Sequence, residues 1–391
     1  MKKVSMKTRK EIIEANKKEY QKATKKEKKQ ILDSICCSTG LSRDRAARVL
    51  RKKSFNKKIN IENRGRKVKY GPKVAKALEF IWTLMDYACG KRIAAGMSVM
   101  LDALERHGEL VFDSDVVQKL REISSFTIDK LLKPVKKAMS YKGISTTKPG
   151  TLLKKDIPLR LGTEWDDAIP GYTEIDLVAH CGDTAAGDYV QTLDVTDICT
   201  GWTETQAVIN KAQKNVFDGL IKVEARLPFP LLGIDSDNGK EFINHQLYRY
   251  CLKKGICFTR SRPYNKNDNC HVEQKNWAVV RRNIGYDRYE GQKAVKRLNA
   301  YYEKLRLYSN FFLPQTKLIR KYRVDSKICK EYEKPKTPYQ RIQESIHIPA
   351  STKKELEKIF LTLNPVALKE EMEELLEEIF KIKIPWSGYH N

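Results

Sequence analysis

Along the chain, the spacing of apolar positions changes near residue 170. Before that point the spacing is helical. Residues 1–25 are polar and Lys-rich, with no periodic face, and are expected to lack regular structure. From about Lys26 to Cys37, Ile31, Leu32 and Ile35 fall on one helical face. Ser38-Thr39-Gly40 makes a turn, and Ser42 is placed to cap a second helix. That helix turns Ala46, Val49 and Leu50 inward and carries Arg43, Arg45 and Arg48. A helix, a short Gly-containing turn and a basic helix make helix-turn-helix spacing, although an ordinary helical hairpin has the same pattern. Residues 72–138 predict four more helices, near 72–88, 91–107, 114–122 and 126–139. The last two, with Ser125 as a cap, repeat the helix-turn-helix spacing; a structural three-helix spacer is the alternative.

Residues 140–170 are rich in Gly, Thr, Pro and Lys and predict a linker. After it, E-I-D-L-V-A-H, Y-V-Q-T-L-D-V-T and T-E-T-Q-A-V-I are successive stretches of strand length, which predict a three-strand meander. Then come a helix over Lys211–Ala225, a buried strand L-L-G-I-D, a helix over Glu241–Lys254, a strand I-C-F-T and a helix over Val272–Ile284. That order predicts an α/β core with a mixed sheet. Residues 292–308 are helical, and 310–350 suggest a small β unit or an extended arm. Leu363–Phe380 predicts an acidic helix with Met372, Leu375, Leu376 and Ile379 on one face. The expected division is multidomain: 1–70, a basic arm with the first helix-turn-helix; 71–140, a second helical unit; 141–170, the linker; 171–290, the core; 291–391, a small C-terminal extension.

Charge gives this layout a partner. The 391 residues hold 75 Lys and Arg against 49 Asp and Glu, a formal net charge of +26. Residues 1–70 hold 24 of the cations and 7 of the anions, so most of the surplus sits in the first fifth of the chain. Such a stretch attracts a polyanion, of which nucleic acid is the commonest and an anionic membrane surface the rival. No run of about 18 apolar residues predicts a membrane span, and the basic N-terminus lacks the apolar stretch of a signal peptide. Nine Cys without a C-x-x-C pair predict reduced thiols in the cytoplasm, and no His/Cys set has zinc-ligand spacing. Arg64, Arg66 and Lys67, in R-G-R-K, suit contact with phosphates or a narrow minor groove, though a plain solvated linker has the same composition.

Three carboxylates carry candidate chemistry. Asp176 lies inside the apolar strand E-I-D-L-V, where a carboxylate is expensive unless paired or metal-bound. Asp237 ends the strand L-L-G-I-D-S and opens a D-N-G turn, at the edge where open α/β sheets place ligands. Glu273 starts a helix, with 35 residues between it and Asp237. Phosphodiester cleavage and transfer need an activated oxygen and a stabilised leaving oxygen, which two divalent ions about 3.5–4 Å apart supply. Asp235, on the same strand face as Asp237, is an alternative ligand; Asp183, Asp188, Asp194 and Asp197 are alternatives to Asp176.

With that interval, the D-N-G turn and the preceding P-Y-N-K-N-D-N-C-H-V-E, residues 170–290 resemble the catalytic core of retroviral-integrase-like DDE transposases. The two upstream helix-turn-helix units resemble the layout of bacterial insertion-sequence transposases. There is no H-H-C-C zinc module, so the layout is not retroviral. The resemblance implies an RNase H-like core and catalytic metal ligands Asp176, Asp237 and Glu273, with Mg²⁺ or Mn²⁺ as cofactor, two ions in all. It implies double-stranded DNA as partner, both element ends and target, bound by a homo-multimer in the nucleoid. A water would cleave a strand and a DNA 3′-hydroxyl would join it. Arg281 and Arg282 are candidates for phosphate contact, more so than Lys275; Arg260 and Arg262, with Asn265 and Asn267, precede the glutamate and suit the DNA end. His180 and His271 are expected to be surface or supporting residues, and Trp202, Trp277 and Phe242 core. A nuclease that never joins, or an inactive DNA-binding repressor, are the alternatives.

Overall fold

The computed structural model describes residues 5–51, 69–138, 168–237, 239–260, 270–324 and 327–384. Two compact units divide the chain, Met1–Val68 and Lys69–Asn391.

The first unit contains α1 (Met6–Lys22), α2 (Lys25–Thr39) and α3 (Arg43–Arg51). α2 and α3 follow the expected pattern. A Thr24/Glu27 capping box opens α2, and left-handed Gly40 (φ 69°) closes it. α1 is a departure, because a segment expected to be irregular is a 17-residue helix. The Ser5 hydroxyl caps it by accepting from Thr8 N at 3.1 Å. Ile13 and Tyr20, two turns apart, pack on Leu32, Ile35, Ala46, Ala47 and Leu50. The helix exists because the neighbouring pair offers it an apolar surface, which its own lysines do not announce.

The second unit opens with α4 (Pro72–Leu84), α5 (Gly90–Arg106), α6 (Ser114–Glu122) and α7 (Ser125–Ala138), within two residues of expectation except at the end of α4. There Met85 caps the helix, and Asp86 and Tyr87 turn to positive φ (53° and 54°). Next come β1 (Tyr172–Ala179), β2 (Gln191–Asp197), β3 (Thr203–Val208), α8 (Gln213–Glu224), β4 (Gly233–Ser236), α9 (His245–Lys254) and β5 (Cys257–Arg260). The sheet order is β3-β2-β1-β4-β5. β1–β2 and β2–β3 are antiparallel; β4 pairs in parallel with β1 and β5. This is the expected mixed sheet.

Side chains alternate across this sheet. Ile175, Leu193, Val195 and Ile234 pack with Val216, Leu220 and Leu247 from α8 and α9. The opposite face carries Glu174, Asp176 and Val178 of β1 beside Thr192, Asp194 and Thr196 of β2. Over it lie α10 (Cys270–Lys275), a π-helical turn (Asn276–Arg281), α11 (Arg282–Ile284) and the long α12 (Gly291–Phe312). Two asparagines of α12 finish the outer edge of β3. Asn299 accepts from Ala207 N at 2.7 Å and donates to Ala207 O at 3.0 Å. Asn310 does the same for Thr203, at 3.0 and 2.9 Å. These side-chain amides stand in for a sixth strand.

The region 310–350 holds a small β unit, the hairpin β6 (Leu318–Val324) and β7 (Lys327–Tyr332), and then α13 (Pro338–Glu344). α14 (Ala350–Thr362) and α15 (Pro365–Phe380) follow. Met372 and Ile379 of α15 are buried in one continuous core with Ile81, Met97 and Leu101 of α4 and α5 and with Tyr301 and Tyr308 of α12. Among the described residues, no helix is long and apolar enough to cross a membrane.

Candidate active site

Asp176 sits in the middle of β1, partly buried, on the face covered by α10. Its Oδ1 accepts from Leu177 N at 2.8 Å and its Oδ2 from the Asn276 side-chain amide at 2.5 Å. Burial pushes its carboxyl up to about 7, and the charges of Asp237 and Glu273 push the same way against the two hydrogen bonds.

Asp237 lies one residue past β4, which pairs directly with β1. Gly239 N donates to its Oδ1 at 2.8 Å, so the turn fixes the side chain. Burial raises its carboxyl as well. Glu241, four residues on, is raised first by burial and also by Asp237. Glu273 is exposed in the first turn of α10. That turn is tied to the sheet: Val272 N donates to the buried Glu174 carboxylate at 3.0 Å. Asn276, three residues after Glu273, faces the same way and begins the π-helical turn. The helix therefore delivers one carboxylate and one amide to Asp176. Glu174, Glu241 and Asn276 were not anticipated from sequence; the helical i, i+3 relation to Glu273 was the available signal for Asn276.

The alternative carboxylates are each accounted for. Asp194 pairs in register with Asp176 but is 0% exposed. Burial raises its carboxyl, and the nearby Lys275 amine opposes the rise. Asp235 is 0% exposed and accepts from the Thr259 hydroxyl at 2.5 Å. Asp197 caps the β2–β3 turn, accepting from Thr200 N and Oγ1 at 2.7 and 2.6 Å and from Gly171 N at 2.7 Å. Asp188 accepts from Asn210 at 3.2 Å, and Asp183 lies past the end of β1.

Of the basic candidates, Arg43, Arg45 and Arg48 are exposed on α3, with Arg43 paired to Asp33. Arg64, Arg66, Lys67, Arg262, Asn265 and Asn267 lie outside the described residues, as does the His271 side chain. Arg260 is buried at the end of β5. Arg281 turns inward, donating to Ala179 O at 2.7 Å and Gly285 O at 3.3 Å. Arg282 binds the Asp86 carboxylate at 2.8 Å and the Asp86 carbonyl at 2.9 Å. His180 is fully buried against the Thr192 hydroxyl at 2.8 Å, and burial lowers its imidazole to about 3, which keeps it neutral. Trp202 and Phe242 are core as expected, but Trp277 is 59% exposed. The inward positions of its helix belong to Val279 and Val280, so the indole is carried outward.

All the donors are carboxylate oxygens, which suits Mg²⁺ or Mn²⁺. Among the described residues, no three His, Cys, Asp or Glu side chains gather closely enough to hold one ion. An ion of that kind usually takes one or two protein carboxylates, and Asp176 has Asp237 and Glu273 as the acids acting on it.

No family model matches the chain. "Uncharacterized protein y4rM" of Sinorhizobium fredii (strain NBRC 101917 / NGR234) is 38% identical over 340 residues, which cover 86% of this chain and 96% of the relative. The chain belongs to the y4rM family. Among solved structures, the chain is similar to the catalytic core domain of BIV integrase, at 19% identity and a TM-score of 0.28 over 45% of this chain and 96% of that one. It is also similar to the HTLV-2 integrase catalytic core domain in complex with magnesium, at 14% identity and a TM-score of 0.29 over 39% and 94%. At those TM-scores the likeness decides nothing about the chemistry of this y4rM relative.

Proposed function

We propose that this member of the y4rM family is a metal-dependent polynucleotidyl transferase, a DDE transposase that cleaves and joins DNA through Asp176, Asp237 and Glu273. The observation that carries it is Asp176: a mid-strand carboxyl raised to about 7 in part by the other two acids, and oriented by Asn276. Such repulsion is what a divalent cation relieves. When bound, Mg²⁺ or Mn²⁺ would supply the Lewis acidity that activates an oxygen nucleophile and neutralises the leaving oxygen. The chain's own part is positional. Leu177 N and Asn276 set both oxygens of Asp176, Gly239 N sets Asp237, and the Glu174–Val272 bond holds the glutamate's helix to the sheet. The exposed arginines of α3 suit duplex DNA, with helix-turn-helix recognition as the proposed role of α2 and α3.

A joining reaction with labelled element ends and Mg²⁺ tests this. Asp237→Asn and Glu273→Gln are expected to abolish cleavage and joining while end binding stays within a few-fold of the unsubstituted chain. Near-normal activity in either variant overturns the assignment. Hydrolysis without a joined product makes the protein a nuclease, and end binding with neither reaction makes it a repressor.

A further inference from the structure

The helix that carries Glu273 has a second functional face. Gln274, Lys275, Ala278 and Arg282 line a cavity of about 160 Å³, whose other walls come from α5, α12, the 313–316 segment and α15. We propose that this cavity is a binding site for a phosphoryl oxyanion.

Charge is the first argument. Arg92, Lys275, Arg282 and Lys369 line the cavity against a single carboxylate, Asp86. Asp86 is already taken, by Arg282 at 2.8 Å and by Lys369 at 4.0 Å. Neither of the other two cations is ion-paired with it. Arg92 donates from Nε to Pro314 O at 2.5 Å, and among the described residues its Nη groups make no hydrogen bond. The Lys275 amine makes no hydrogen bond among the described residues, and the buried Asp194 carboxylate is the acid whose charge acts on it. Four cations against the carboxylates of Asp86 and Asp194 leave a buried surplus of positive charge, which is costly, and a dianionic oxyanion in their midst offsets it.

Shape and chemistry narrow the ligand. The volume is ample for one tetrahedral oxyanion. Arg92 offers a planar fork, which suits two oxygens of a phosphate; the lysines act as point charges. The Ser309 and Thr316 side chains line the same space and can complete a tetrahedral set. A phosphate seated here touches the residue next to Glu273, so it would fix the glutamate's helix from the far face. The oxyanion has two possible sources, the backbone of a bound duplex or a free phosphate ester, and both present the same group.

The test needs neither strand transfer nor metal, so it fails or succeeds apart from the transposase reading. The full chain is titrated with inorganic phosphate by calorimetry at constant ionic strength, with chloride as the balancing salt. Saturable binding is expected, weakened about tenfold or more in Arg92→Gln and in Lys369→Gln. Lys354→Gln, an exposed charge on α14, should bind as the unsubstituted chain does. Lys369→Gln leaves the Pro314 contact intact, so it answers for Arg92→Gln should that variant fold poorly. Repeating the series with a short duplex, without divalent ions, separates the sources. A parallel loss of duplex affinity, with phosphate competing, assigns the site to the DNA backbone. Unchanged duplex affinity assigns it to a free ester. Absent saturation, or equal phosphate affinity in all four proteins, overturns the proposal.

Discussion

Asn276 acts on Asp176 through a single 2.5 Å hydrogen bond, and that bond is open to test. Removing a group that orients a ligand typically costs about 10–100-fold in activity. Asn276→Ala is therefore expected to slow single-turnover cleavage by that range, with DNA affinity unchanged. A wild-type rate would show that the amide orients nothing. Asp197 offers a pH readout away from the triad. Burial raises its carboxyl from 3.8 to about 6, against the pull of its hydrogen bonds to Thr200 and Gly171. The native chain then holds this proton more tightly than the unfolded one, so stability falls as pH rises from about 4 to about 6 and stays lower above that. Other buried acids add the same sign. The expected result is a difference: Asp197→Asn has a shallower fall in unfolding free energy over that window than the unsubstituted chain. Parallel curves would refute it. At this scale the sequence was legible where spacing constrained it. Placement was legible: Asp176 falls inside β1, Asp237 one residue past β4 and Glu273 in the first turn of α10. Arg281 was not legible, because nothing local says that a guanidinium will turn onto the carbonyl of a strand about a hundred residues earlier.

Among the elements, the outer edge of β3 depends most on a remote partner. Asn310 satisfies a backbone N–H and C=O of Thr203, and Asn299 those of Ala207, whose carbonyl also accepts from Gln206 at 3.2 Å. Alanine at either position is expected to cost about 1–3 kcal/mol, read as a lowered urea midpoint with an unchanged slope. No loss at Asn310, which is fully buried, would mean that the amide does not complete the strand. Helical periodicity made α4 to α7 legible because their buried residues recur within each helix. α1 escaped for the opposite reason: Ile13 and Tyr20 are sparse anchors in a lysine-rich stretch, and their surface belongs to α2 and α3. The outward Trp277 shows a third case, in which bulk suggested core but helix phase decided.

For the whole molecule, the division into Met1–Val68 and Lys69–Asn391 gives the basic arm an experiment of its own. Deleting residues 1–70 is expected to remove specific end binding and to flatten the dependence of the remaining binding on salt, because fewer phosphate counterions are released. An unchanged salt slope would sink the arm's role. The second unit answers differently. Its upstream helices share one apolar core with α12 and α15, and Arg282, on the helix after Glu273, grips the α4–α5 loop at Asp86. Residues 72–138 are thus no interchangeable cassette. A chimera that imports those helices from a relative should be soluble only if α12 and α15 travel with them. In such a lineage, substitutions in the upstream helices and in α12 and α15 must drift together.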